Sequence, residues 1–392
     1  MIETVIVGAA RTPMGSFQGE MSSFSGTELG GIAIEGTLKN SNIDPNDVEE
    51  LLMGCVLPAG LRQAPARQAG TYANLPKFVP AVTVNKVCGS GMKTILIACD
   101  QIRAGSSSIV IAGGMESMSN APYISNCTRS GRRLGHATMN DHMFTDGLED
   151  AFQPKKLMGH FAEDCAEKYQ FTREDQDEFA IQSLNRAIKA QKDSLFKNEI
   201  VPVSIKTRTG EKTVTDDEQP KLAKIDKIPL LKPAFQSNGS ITAANASSIS
   251  DGAAAVAICS SLKAKEMSIP IRAKIMGSAG YAQDANWFTT APIFAVKKLL
   301  SNIGWKKNEV DLWEVNEAFA VVPMAFMREM DLPSDCINIR GGACALGHPI
   351  GASGTRIVVT LLNALESHGL KKGIASICLG GGEALALAVE RG

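Results

Sequence analysis

The chain has 392 residues, of which 44% are apolar and 21% charged, with a formal net charge of -1. One hydrophobic core seldom grows past roughly 250–300 residues, so an ordinary soluble globular protein of two or three lobes is expected. The balanced charge excludes a polyelectrolyte case for nucleic acid or anionic membrane as partner, and no apolar run reaches the roughly 20 residues needed to span a bilayer.

In chain order, Val5-Ile-Val7 reads as a first strand with no secretory signal before it, and Val389-Glu-Arg-Gly392 carries no recognisable address. The nine cysteines (55, 88, 99, 127, 165, 259, 336, 344 and 378) form no CxxC pair and no metal spacing. A reduced cytoplasm is the simpler expectation than a disulfide framework.

Residues Pro80 to Val84 read as a short β-branched strand, and Met92 to Ile102 carry apolar residues at helical spacing. Cys88, in Val84-Asn-Lys-Val-Cys-Gly-Ser-Gly-Met-Lys93, therefore falls at a tight strand-to-helix turn, with Gly89 and Gly91 expected to leave room beside the sulfur. The positive end of a helix dipole favours a thiolate, so Cys88 reads as a nucleophile rather than a buried apolar cysteine.

Two stretches of the first half recur near the end. Ser41-Asn-Ile43 with Val48 to Gly54 resembles Ser301-Asn-Ile303 with Val310 to Asn316, and Val87 to Lys93 resembles Ile350 to Arg356. Each glycine turn opens an apolar helix that leads to a strand ending in glycines, Ile109 to Gly114 and Ser376 to Gly382. A duplicated unit of alternating strands and helices follows, with a layered α/β architecture and mostly parallel strands expected.

Between the halves the character changes. Asn120 to Asp146 is polar and broken by glycine, Phe161 to Leu195 is helical with Thr172-Arg-Glu-Asp175 as a start, and Lys206 to Ile228 is charged and weakly periodic. Small polar residues dominate Ser237 to Ser248. Such a long excursion reads as a ligand-covering insertion.

Three further clusters lie where strand ends and helix starts place function. Asn316, in Val315-Asn-Glu-Ala-Phe-Ala320, takes the place of Gly54 in the repeat; it is either a polar site residue or a cap for the next helix. His348 lies in the glycine-dense stretch Gly341-Gly-Ala-Cys-Ala-Leu-Gly-His-Pro-Ile-Gly-Ala-Ser-Gly354, where a neutral imidazole could take the proton of Cys88. Cys378 ends the last long strand before Gly380-Gly-Gly382, whose amides could face a developing oxyanion. With two thiols in one site, one would be nucleophile and the other a proton carrier.

Taken together, the Cys88 segment, Asn316-Glu-Ala-Phe-Ala320, the His348 loop and Cys378-Leu-Gly-Gly-Gly382 resemble the signatures of the thiolase family, in thiolase order. The resemblance covers essentially the whole chain from Val7-Gly-Ala-Ala-Arg-Thr-Pro13 onward. It implies duplicated βαβαβαββ halves in an α-β-α-β-α layering: an N-terminal half over 1–119, a loop domain over 120–250, and a C-terminal half over 251–392. Within the loop domain, 120–146 corresponds to a tetramerisation loop and 147–250 to the part covering coenzyme A. The arginines of that loop, Arg129, Arg132 and Arg133, equally suit a solvated face.

The resemblance also implies roles. Cys88 would carry the acyl group, His348 and Asn316 would hold the thioester oxygen of the second acetyl-CoA, and Cys378 would move the methyl proton. Backbone amides of Cys88 and Gly380 would form the other oxyanion hole, and Ser247, Lys221, Leu148, Met158, Ala318 and Phe319 would contact coenzyme A. The implied reaction is reversible condensation of two acetyl-CoA to acetoacetyl-CoA and CoA, by a cytoplasmic homotetramer without a cofactor. The alternatives are a 3-ketoacyl-CoA thiolase of longer-chain preference, a decarboxylating condensing enzyme, which Cys378 argues against, and a non-catalytic carrier. Three departures from the family pattern stand out: Leu157 where histidine is common, Lys221 where arginine is usual, and Glu383-Ala384 after the triple glycine.

Overall fold

The computed structural model describes residues 2–207 and 210–392; positions 208 and 209, within the charged stretch Lys206 to Ile228, lie outside the described residues. Among the described residues the main sheet has ten strands, nine of them on one continuous path: β1 (Thr4–Arg11), β2 (Glu50–Gly54), β3 (Ala81–Val84), β4 (Ile109–Ser117), β5 (Ser250–Ser260), β6 (Ala273–Ala282), β7 (Leu312–Val315), β8 (Lys372–Leu379) and β9 (Glu383–Glu390). Their order is β7-β8-β9-β6-β1-β5-β4-β2-β3, with the short strand Gly15–Ser16 paired to β5.

The duplication is visible in this order. Outward from the central β1–β6 pair, one side runs β1-β5-β4-β2 and the other β6-β9-β8-β7. The counterpart of β3 is reduced to a single parallel bridge between Trp313 and Ile337. Strand β5 follows the insertion yet lies between β1 and β4, so by pairing it completes the sheet of the first half, and the second half's own strands begin with β6.

The expectation of mostly parallel strands fails. Only β2–β3, β2–β4 and β7–β8 are parallel; β1–β5, β1–β6, β5–β4, β6–β9 and β8–β9 are antiparallel. The long apolar runs that suggest a parallel sheet arise because β1, β4 and the interior of β5 are buried on both faces, whatever their direction.

Successive side chains on each strand serve two layers. Val5, Val7, Leu51, Met53, Ile109 and Ile111 face an outer layer with α1 (Gly26–Ser41) and α2 (Pro65–Tyr72). Ile6, Leu52, Val110 and Ile377 face a middle layer formed by α3 (Ser90–Ala104) and a long helix, Ile350–Ser367. Trp313, Val315 and Ile374 face the other outer layer. The layering is therefore α-β-α-β-α. The middle helices meet through glycine: a Cβ on Gly91 would sit 2.6 Å from Thr355 Oγ1, and one on Gly354 2.6 Å from the Met92 nitrogen.

The insertion contains α4 (Met158–Tyr169) and α5 (Arg173–Lys192); α6 (Ala291–Ile303), α7 (Val321–Met330) and α8 (Ile350–Ser367) follow in the second half. The helical stretch from Phe161 to Leu195 divides into two helices, because Gln170 takes a left-handed φ of 53° and ends α4 just before the expected start at Thr172. The expected start of α5 is a capping box, with Thr172 and Asp175 bonding each other's backbone. A buried ion cluster fixes the insertion to β1. Arg11 donates to Asp217 at 2.6 and 2.9 Å and to Glu199 at 2.6 Å. Residues 128–140 are exposed throughout, beside a short ribbon of Tyr123–Ile124 with Asn140–Asp141.

Candidate active site

Cys88 lies one residue before Gly89, the N-cap of α3. The residue before it, Val87, has φ +47°, a conformation that strains a β-branched side chain by about 1–3 kcal/mol. Local bonds hold the strain: Asn85 Oδ1 accepts from the Val87 N–H at 3.0 Å, and Ser90 Oγ donates to the Val87 carbonyl at 2.6 Å. Ser90 Oγ also accepts from the Lys86 N–H at 2.8 Å.

The glycines beside the thiol have a different reason from the one expected. A Cβ on Gly89 would collide with Leu379, and one on Gly91 with α8, so close packing of the two halves demands both. The expected helix-dipole effect is likewise outweighed. Burial pushes the partly buried Cys88 thiol up to about 11, against the pull of the Gly380 N–H and of its own N–H. Cys88 therefore rests as a thiol and needs a proton acceptor.

His348 suits that task. Glycines with positive φ, Gly341 (+80°) and Gly347 (+106°), shape its loop, and the imidazole is buried. Its Nδ1 lies 2.6 Å from Ser353 Oγ, and that hydroxyl donates to the Pro349 carbonyl at 2.9 Å. Ser353 is therefore an acceptor toward the ring, which assigns the proton to Nδ1 and leaves Nε2 as a free lone pair. Nε2 has no partner among the described residues. Burial first, then the charge of Arg356, holds the ring down to about 3, so it is neutral near pH 7.

Asn316 follows β7, its N–H bonded to the Ser376 carbonyl at 3.0 Å. Its amide oxygen and nitrogen are both buried without a partner among the described residues. The capping alternative fails on geometry, since α7 begins only at Val321 and the Asn316 side chain makes no cap bond. Cys378 is buried on β8, and its thiol is held well above the ordinary range by burial, with the neighbouring Cys88 adding to the effect.

Cys88, His348 and Gly380 line a cavity of about 620 Å³. Leu148, Met158, Ser247, Ala318 and Phe319 line it as well, so these expected contact residues converge on one space. The segment around Ser247 is fixed by strand-like pairing, with the Ser247 N–H on the Ala318 carbonyl at 3.0 Å and a bridge between Ala246 and Phe319. Lys221 stands apart from the lining, its ammonium 3.1 Å from Asp216, while its neighbours Gln219 and Leu222 reach the cavity. Leu157 lines the wall with Phe235 and Phe288.

Sequence reasoning missed Ser353, which orients the imidazole from five residues away, and Glu116, a fully buried carboxylate beneath the His348 loop. Among the described residues no cluster of three or more His, Cys, Asp or Glu side chains is placed to hold a metal. Chemically, the site offers a thiol, a neutral base with a free lone pair, a second thiol and converging N–H donors, the components of acyl transfer.

Comparison with known proteins gives the same picture. The chain matches the family models for the thiolase N-terminal domain over residues 4–261 and the thiolase C-terminal domain over residues 269–391. It is 48% identical over 388 residues to the probable acetyl-CoA acetyltransferase of Dictyostelium discoideum, covering 99% of this chain and 94% of that one. The acetyl-CoA acetyltransferase of Cupriavidus necator is 46% identical over 393 residues, covering both chains completely at 100%. Among solved structures, the Bacillus anthracis acetyl-CoA acetyltransferase superposes with a TM-score of 0.97 at 38% identity, covering 100% of this chain and 99% of that one. The Acat5 thiolase of Ascaris suum in complex with coenzyme A superposes with a TM-score of 0.93 at 42% identity, covering 99% and 100%. On these grounds the chain belongs to the thiolase family.

Proposed function

We propose that the protein catalyses the reversible condensation of two acetyl-CoA molecules to acetoacetyl-CoA and CoA, through an acetyl group carried on Cys88. The observation that carries this reading is the pairing, on one cavity, of a protonated Cys88 thiol with a neutral His348 whose Nε2 is free.

The proton inventory closes on these groups. His348 Nε2 takes the Cys88 proton, the thiolate attacks the acetyl carbonyl, and the carbon–sulfur bond to CoA breaks. Cys378, held as a thiol, gives its proton to the departing CoA thiolate and becomes the base for the next step. It then takes the methyl proton of a second acetyl-CoA, while the His348 imidazolium and Asn316 stabilise the enolate oxygen. The carbanion attacks the acetyl carbonyl, the bond to Cys88 breaks, and the Cys88 thiolate recovers its proton from His348. The N–H groups of Cys88 and Gly380 receive the oxyanion on the acetyl carbon. Coenzyme A thioesters enter as substrates, and no separate cofactor is needed for this path.

The 120–250 insertion is the part that covers coenzyme A in this reading, with Leu148, Met158 and Ser247 on the cavity wall in its support. A homotetramer joined through the 120–146 loop is supported by its exposed apolar side chains Tyr123, Leu134 and Met139. A cytoplasmic setting accords with nine unpaired cysteines, and no helix among the described residues is long and apolar enough to cross a membrane.

A longer-chain 3-ketoacyl-CoA preference is not favoured by the relatives described above. Thiolysis of acetoacetyl-CoA against 3-oxooctanoyl-CoA by the purified protein, alongside Cys88→Ala, tests the reading. Preference for acetoacetyl-CoA that disappears in the variant is expected. Equal or better turnover of the longer substrate would overturn the acetyl-specific reading, and turnover by Cys88→Ala would overturn the acyl-enzyme.

A further inference from the structure

Glu116, near the end of β4, is a buried carboxylate that the reaction above does not use. It is 1% exposed and, among the described residues, no cationic side chain forms an ion pair with it. Its partners are three backbone N–H groups and the Cys55 thiol. Oε2 accepts from the N–H groups of Gly351 at 2.9 Å and Val56 at 3.0 Å, and Oε1 from the N–H of Leu57 at 3.1 Å and the Cys55 thiol at 3.6 Å. The three N–H groups can only donate and so favour the anion, while burial works against them and pushes the carboxyl up to about 7. An anion buried without a counter-charge is costly, and a fold retains one where it serves a site.

Its position joins the two halves of the chain next to the cavity, which Ile350 lines. Val56 and Leu57 follow β2 in the first half, whereas Gly351 opens α8 in the second. Two residues beyond Gly351, Ser353 Oγ accepts from His348 Nδ1. Leu57 and Ile350 pack in one cluster with Cys88, Met143 and Phe144. No side chain fits at Gly351, where a Cβ would lie 2.6 Å from Glu116 Oε2. The carboxylate also faces the positive end of the α8 dipole.

We propose that Glu116 is a positioning residue of the acyl-transfer site, its carboxylate gripping the first turn of α8 so that Ser353 holds His348 in register with Cys88. The inference rests on the reaction proposed above. The chain of contact is continuous, from Glu116 to the Gly351 N–H, through two residues of α8 to Ser353, and on to the imidazole. Burial is what chiefly keeps the resting Cys88 thiol protonated until His348 accepts its proton, and the negative charge of Glu116 adds a smaller push in the same direction. The other groups facing Cys88 are Cys378 on β8, His348 on its loop, and the N–H of Gly380.

The test compares the purified wild-type protein with E116Q and E116D in acetoacetyl-CoA thiolysis, and follows Cys88 alkylation by iodoacetamide as a function of pH. E116Q is expected to lose about tenfold or more in kcat with KM for CoA within about twofold, as for a displaced supporting group. Its alkylation midpoint should move to lower pH, because the opposing charge is gone. E116D keeps the charge but not the reach, so its kcat falls while its alkylation midpoint stays; it carries the test if E116Q does not fold. E116Q with wild-type kcat and an unshifted midpoint would overturn the proposal. So would a fall in activity that only tracks a smaller folded fraction. An inactive wild-type protein would overturn the underlying reaction instead, which keeps the two failures distinct.

Discussion

The ammonium of Lys86 lies 2.6 Å from the carboxylate of Glu383, tying the turn that carries Cys88 to the glycine turn that follows Cys378. Glu383 is one of the departures from the thiolase pattern, and its partner stands two residues before Cys88. The pair spans the two backbone segments whose N–H groups meet at the Cys88 sulfur. Both side chains are partly exposed, so the pair contributes only about 0.2–1 kcal/mol to stability. Glu383→Ala should therefore leave Tm almost unchanged while lowering kcat a few-fold. Lys86→Glu combined with Glu383→Lys should restore most of the loss. Steady-state thiolysis at low and high salt checks this, since screening should shrink the gap between wild type and Glu383→Ala.

Asn316 makes the opposite trade. Its amide is buried with neither polar atom partnered among the described residues, so removing it leaves no new group unsatisfied. Asn316→Ala should fold with stability equal to or above the wild type. Condensation should fall about a hundredfold, the usual cost of losing an oxyanion donor. A urea titration read beside the condensation rate separates the two effects.

Acid pH should weaken the fold through His348. Its ring is held to about 3 in the folded chain against an ordinary value of 6.5, so the unfolded chain binds the proton first as pH falls. Stability is complete above 6.5 and declines from there toward 3. At pH 5 this one group costs about 2 kcal/mol relative to neutral pH, which His348→Asn should abolish. Urea midpoints of both proteins at pH 7.5 and pH 5 measure the difference. His348→Asn should lose as much between the two pH values as the wild type if the account is wrong.

Gly91 tests the contact between the two halves. An added methyl at this position would lie 2.6 Å from Thr355 Oγ1 and 3.0 Å from the Gly351 carbonyl. Gly91→Ala should cost about 1–3 kcal/mol by overpacking, and should also displace the first turn of α8 and hence His348. Loss of both Tm and activity is expected from differential scanning calorimetry and thiolysis. Serine or alanine tolerated here without loss would contradict the packing.

Local signals carried much of the fold and site. The β-branched run before Cys88, the helical spacing after it, and the glycines around His348 each act within a few residues, and each recurs in the structure as a turn, a helix start or a loop. Repetition of the two turns was legible because the paired middle helices need glycine at the same place. Strand direction was not, since double-sided burial imposes the same apolar runs on parallel and antiparallel ladders. The left-handed Val87 was hidden because its strain is held by Asn85 and Ser90 rather than relieved by a glycine. Glu116 was hidden for a different reason: its partners are backbone N–H groups from distant segments, which no side-chain pattern records. The resting state of Cys88 depended on a balance between helix-end stabilisation and burial, and only the packed structure reveals that burial prevails.

The most direct test of the account is to incubate the wild-type protein and Cys378→Ala with acetyl-CoA, quench in acid, and locate the acetyl group by peptide mass spectrometry. An acetyl on the Cys88 peptide of the wild type is the predicted result, with one on the same peptide of Cys378→Ala that forms more slowly, for want of the proton Cys378 gives the departing CoA, and never proceeds to acetoacetyl-CoA. Acetylation of Cys378 in the wild type, or none on Cys88 while condensation proceeds, would contradict it.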